Sequence, residues 1–173
     1  MIAGKRIEKN KRLDAILSQI TQLAPKNAEL RGQIKAIRLQ ETPTFQDFYF
    51  RSLKLESVLD EYDLQRQRLS PLMRSLLPEV ADQPKLAETV RTIQRINDKD
   101  AEIVEIFRLE IARTKDLIKL PASEQANFYR QEIVPLEQKA TSAADEEIGM
   151  MQDAEKAGIK LPTDLQELLK PSL

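Results

Sequence analysis

From Leu13 the chain repeats one spacing: Leu13, Ile16, Ile20, Leu23, Asn27, Leu30, Ile34 and Ile37 step by three and four residues in alternation. On a strand those side chains would scatter over both faces, whereas on an α-helix they form one narrow stripe, so the segment is committed to a helix that packs against other helices. The pattern returns three times. Phe48, Leu55, Leu59, Tyr62, Leu69, Met73 and Leu76 make a second seam, with Ser52 and Arg66 in its polar slots. Leu86, Val90, Ile93, Val104, Phe107, Ile111 and Ile118 make a third, interrupted by Asn97 and Asp100. Tyr129, Ile133, Leu136, Ala140, Ala144, Ile148 and Met151 make the fourth, and its small middle lets another helix approach closely.

Prolines and polar caps punctuate the seams. The first helix is expected from about Lys5 to Gln40, bent at Pro25, which lies with Gly32 on the outer face. "TPTFQDF" opens the second, with Thr44 as cap and Asp47 three residues on; Pro71 kinks it and Pro78 ends it. The third runs from about Pro84 to Lys119 with Asp82 as its cap. The fourth starts at "LPASEQ" with Ser123 as cap, bends at Pro135 and stops at Gly158. Helices of about 35 residues span roughly 50 Å, and linkers of a few residues force consecutive helices to be antiparallel. The expected fold is therefore all-α: an antiparallel up-down-up-down four-helix bundle over residues 1–158, with long, proline-kinked helices and with the first and fourth adjacent. A short C-terminal helical tail, 159–173, follows. There Thr163 and Gln166 form a capping pair, and Leu165, Leu168 and Leu169 make an apolar face suited to the bundle itself or to a partner.

The chain contains neither histidine nor cysteine. That removes the usual zinc sites, His-ligated haem, the Glu-x-x-His di-iron bundle and triads built on Ser or Cys with His. No cofactor, metal or catalytic residue is expected. The longest uncharged run, Ala15 to Pro25, is too short and polar to span a bilayer, so no integral membrane segment is expected and a soluble, by default cytoplasmic, protein is. An exported or membrane-tethered form with a trimmed N-terminus stays open. Net charge is −1, yet residues 1–40 carry nine basic against three acidic side chains and residues 121–173 carry five against ten. The simplest reading is that the first and last helices lie side by side with complementary charge. Nucleic acid is not an expected partner, because no basic cluster is interleaved with aromatics.

Two places stand out. Converting sequence positions to heights along antiparallel helices puts Arg66 of the second helix level with Asn97 and Asp100 of the third, as a buried polar layer or the seat of a small polar ligand. Asn27 reads as another register device. At the opposite end, Phe45, Phe48, Tyr49 and Phe50 meet Phe128 and Tyr129 in an aromatic cluster from which Phe50 points away, as a partner anchor or pocket mouth would. The expected function is a binding module, an adaptor, scaffold or sensory domain acting through protein contacts or self-association. A ligand-binding sensor bundle using either place is the alternative. An enzyme built on Arg66, Asp100 and Glu137 or Glu147, and a protein held at membranes by its basic first helix, are weaker readings.

Overall fold

The structure, a computed structural model, describes residues 2–160, with the side chains of residue 8 and residues 11–160; the expected tail from 161 onward lies outside the described residues. It is an all-α bundle of four rods. Helix α1 spans Ile2–Arg38, α2 Phe45–Glu79 and α3 Pro84–Leu117, while the fourth rod is α4 (Ala122–Phe128), a π turn (Tyr129–Ile133) and α5 (Val134–Lys156). Call the end holding the α1–α2 and α3–α4 linkers the top.

Helix ends follow local chemistry in two cases and depart from it in two. Thr44 and Asp47 form a reciprocal capping box, the Thr44 hydroxyl accepting from the Asp47 N–H at 3.1 Å and the Asp47 carboxylate accepting from the Thr44 N–H at 3.2 Å. Gly158, at φ +77, ends α5, and the Ile159 N–H reaches back to the Ala154 carbonyl at 2.9 Å. A left-handed residue followed by that bond is the Schellman stop, and glycine adopts it without a Cβ penalty. Neither Asp82 nor Ser123 is the cap expected of it. Gln83 and Pro121 take those positions without a side-chain hydrogen bond, the following Pro84 presetting φ at the start of α3.

Pro25 and Pro71 are carried inside continuous helices. Pro135 is accommodated differently. Lacking an N–H, it cannot bond to Gln131, and just upstream the Val134 N–H bonds to the Tyr129 carbonyl, five residues back. The π turn absorbs the proline, so the bend expected there is a widened turn.

Each rod packs on its neighbour in sequence: α1 on α2, α2 on α3, and α3 on α5. Near the lower end Leu69, Met73, Val90, Ile96 and Met151 form a buried cluster against which Leu13, Ile16 and Ile20 rest. Higher up, Leu30, Leu55, Leu59, Tyr62 and Val104 join α1, α2 and α3. Ile103, Ile106, Ala140 and Ala143 join α3 to α5. Helix α3 is thus buried on two sides. At roughly 1.5–3 kcal/mol for each buried large apolar side chain, these clusters carry the fold, and solvent-screened pairs such as Lys99 with Glu102 add little to it.

The fourth side of the bundle departs from expectation. α1 and α5 do not approach as the other neighbours do, and they face each other across a groove spanned by the 3.4 Å pair of Arg31 and Glu147. The charge complementarity read from the two ends of the sequence is present there, without close packing of the helices. None of the described helices is long and apolar enough to cross a membrane.

Candidate functional site

The groove encloses about 630 Å³. Its floor is apolar, made by Leu59 of α2 and by Ile103, Val104 and Phe107 of α3. Ala140 and Ala144 line the α5 wall together with Thr141, Asp145 and Ile148, and their small side chains leave the opening. Ile34, Lys35 and Arg38 line the α1 wall. The two walls therefore carry opposite charge above an apolar base.

A buried polar cluster closes the lower end. The Tyr62 hydroxyl donates to Asp100 Oδ2 at 2.5 Å. Arg31 lies between two carboxylates, Nη2 at 3.5 Å from Asp100 Oδ2 and Nη1 at 3.4 Å from Glu147 Oε1. All four side chains are more than nine-tenths buried, and the Arg31 guanidinium also sits 5.4 Å from the Tyr62 ring centroid. Burial pushes the Tyr62 phenol well above its ordinary pKa, with the Arg31 charge opposing and Asp100 adding to the rise. The cluster joins one side chain from each of α1, α2, α3 and α5, so it fixes the heights of all four rods at one level.

This corrects the expected polar layer. Asp100 and Asn97 are buried on α3 as anticipated, but the cation facing Asp100 is Arg31 of α1, and Arg66 is not in the layer. Arg66 turns back along its own helix to Asp63, with Nη2 at 2.9 Å from Oδ1, and Asp63 also accepts from Arg108 of α3 at 3.1 Å. A long side chain at a seam position can leave the core by folding along the helix toward its N-terminus. Asn97 lies one turn below Asp100 and joins none of these pairs. Asn27, one turn below Arg31, buries an Oδ1 that has no hydrogen-bond partner among the described residues.

A second charged network lies above the groove. Glu110, almost fully buried, accepts from Arg38 Nη1 at 2.6 and 2.8 Å, and Arg51 Nη2 lies 4.0 Å from the same carboxylate and 3.7 Å from Glu137. The Tyr129 hydroxyl donates to Glu137 at 2.8 Å. Burial raises the Glu110 carboxyl despite Arg38, and burial, helped by the neighbouring Arg38, lowers the Arg51 guanidinium. Arg38 also stacks 4.7 Å from the Phe107 centroid and Arg51 4.6 Å from that of Phe48. Sequence reasoning passed over Arg31, Arg38, Arg51 and Glu110 because each flanks a seam, where charge is ordinarily solvated. The available signal was polar pairing at helical spacing, Asn27 with Arg31 and Glu110 with Thr114, both buried in the fold.

The aromatic end divides. Phe45 and Phe48 each lie 5.5 Å from Tyr129, the latter edge-on, and with Phe128, Leu117 and Ile133 they close the top of the bundle. Tyr49 does not share that face. It pairs with Phe50 at 5.9 Å outside the cluster, and Phe50 is 51% exposed, as expected. A shallow cleft of about 670 Å³ lies beside Phe45 and Tyr129, with no charged side chain in its lining. The groove is the stronger site, since buried polar groups converge on an apolar cavity there.

The tyrosines give a direct check of these environments. Burial and the hydrogen bond to Glu137 push Tyr129 up to about 12. An acid whose folded-state pKa is raised keeps its proton where the unfolded chain has lost it, so stability must fall as pH climbs from about 10 through 12. The urea midpoint is expected to drop over that window, Tyr62 ionising only as the protein unfolds, and Tyr62→Phe should flatten the drop. A Tyr62 phenolate absorbing in the folded protein near pH 10 would contradict its burial.

The fold and groove define a class, the all-α four-helix bundle with an open lateral groove. Comparison with protein-family models, curated proteins and solved structures finds no match to the chain.

Proposed function

We propose that the chain is a non-catalytic binding module whose α1–α5 groove receives the apolar face of an amphipathic helix from a protein partner. The observation that carries this is the absence of close α1–α5 packing above an otherwise closed apolar core. The groove lies between α1 and α5 above the Arg31–Glu147 pair that closes its lower end. A drug-sized molecule buries most of its surface in its site, whereas an amphipathic helix needs to bury one stripe only, which is what a half-open groove offers. The walls add selectivity: an acidic flank on the guest would face Lys35 and Arg38, and a basic flank would face Asp145.

The test is site-specific photo-crosslinking in cells. A benzophenone amino acid at Thr141, on the groove rim, is expected to capture a partner through a segment with leucine-like residues at helical spacing. The same probe at the exposed Ser57 of α2 should not, and Ala144→Phe, which fills the groove, should abolish capture at Thr141. Capture unaffected by Ala144→Phe would sink the reading.

A small-ligand reading is favoured by the cavity's size alone, since about 630 Å³ falls within the range of ligand pockets. A native mass spectrum showing a retained small molecule, lost in Ala144→Phe, would put it first.

A further inference from the structure

We infer that the partner helix is anchored in the groove by a carboxylate, an Asp or Glu one turn beyond its apolar stripe, and that Arg38 at the upper end receives it. The inference rests on the reading that the groove accepts a helical face, and adds the residue that selects the partner. Arg38 belongs both to the α1 wall and to the charged network above it. Its Nη1 is committed to the two oxygens of Glu110, at 2.6 and 2.8 Å, while its Nε and Nη2 have no hydrogen-bond partner among the described residues. Those two nitrogens form one edge of the planar guanidinium, the fork that takes a carboxylate through two parallel hydrogen bonds.

The fork is held in place before any guest arrives. Glu110 is almost fully buried, and the Arg38 guanidinium lies 4.7 Å from the Phe107 ring centroid, so the cation is fixed from two sides. A donor already ordered loses less side-chain freedom on binding than a surface lysine or arginine would. Phe107 is also part of the groove floor, so a group that meets the fork lies against apolar surface and partly out of water, where a charged pair discriminates more strongly. Charge and length then describe the guest. The cations Arg38 and Arg51 balance the carboxylates Glu110 and Glu137, and Lys35, one turn below Arg38 on the same wall, adds one positive charge. That balance suits a single carboxylate better than a phosphate dianion. Arg38 stands two helical turns above Arg31, whose pair with Glu147 closes the lower end, so the wall between them is about 10 Å long at 1.5 Å per residue. A helix with that footprint sets a few large apolar residues on the floor at spacings of three and four, and its acid falls next along the same stripe.

The probe is a set of short synthetic helical peptides with a constant leucine stripe and a single Glu moved stepwise along it, each paired with its Gln counterpart, and the readout is fluorescence anisotropy with the full chain. At one position, a turn beyond the last leucine, Glu should bind roughly tenfold tighter than Gln. Arg38→Lys keeps a cation beside Glu110 but loses the fork, so it should remove that preference while the urea midpoint holds. A preference that survives Arg38→Lys would overturn the inference. Should Arg38→Lys shift the midpoint, the comparison of Glu and Gln on the unaltered chain still decides. Equal binding of Glu and Gln peptides at every position, lost in Ala144→Phe, overturns the anchor and leaves the partner groove standing. No binding, or binding indifferent to Ala144→Phe, removes groove and anchor together. A dimer in sedimentation velocity that no peptide dissociates gives the groove to a second copy and overturns the inference as well.

Discussion

Arg31→Met is expected to lower stability by about 3–5 kcal/mol, the cost of leaving buried carboxylates without the cation between them. Asp100 and Glu147 lie on either side of that guanidinium at 3.5 and 3.4 Å, and both are buried. For a chain of this size the melting temperature should fall by roughly 10 °C, at about 2–4 °C per kcal/mol. Asp100→Leu alone should be milder, since Glu147 still faces Arg31, though the Tyr62 hydroxyl then loses its acceptor. The combination Arg31→Met, Asp100→Leu and Glu147→Leu should recover most of the loss, because it buries no unpaired charge. Thermal unfolding of the three variants would decide: a triple variant no better than Arg31→Met would mean that the cluster fixes the register of the rods and is more than a tolerated set of charges.

Glu110→Leu is expected to be the next most damaging change, at about 2–4 kcal/mol. It removes the carboxylate that holds Arg38 and leaves Arg38 and Arg51 as near neighbours of like charge. The estimate sits below that for Arg31 because Arg38 is a fifth exposed and can turn toward water. Adding Arg38→Leu should restore part of the loss, since Arg51 keeps Glu137 and the carbonyls of Arg38 and Gln40 as partners. Equal stability of Glu110→Leu and the double variant, measured by urea denaturation, would show that the two guanidinium groups do not interact.

How far the sequence led can be seen at particular residues. The α1 stripe from Leu13 to Ile37 was readable because one period of three and four leaves no other geometry, and the stops at Thr44 and Gly158 were readable because a capping box and a left-handed glycine are local events. Asp100 was found for the same reason: a carboxylate inside an apolar seam is conspicuous. Its partner was not found. Heights along antiparallel helices are good only to about a turn, an arginine side chain reaches farther than that, and Arg66 occupied a seam position whereas Arg31 flanked one. Which one entered the core depended on a competitor close at hand, Asp63 being three residues from Arg66 on the same helix. The groove was invisible for a different reason. Four matched seams imply a closed bundle, and the gap between α1 and α5 arises from the arrangement of whole rods, which no single helix encodes.

The π turn at Tyr129–Ile133 has a bearing on how this chain can change in length. A wide turn is what remains when one residue is added to an α-helix without rotating what lies beyond it. Deleting a residue there would close the turn and swing Tyr129 about 100° away from Glu137, at 3.6 residues per turn, while Ala140 to Ala154 kept their places on α3. The aromatic lid and the groove wall, carried on one continuous rod, are therefore phased separately, and an insertion or deletion above Pro135 can reshape one without disturbing the other.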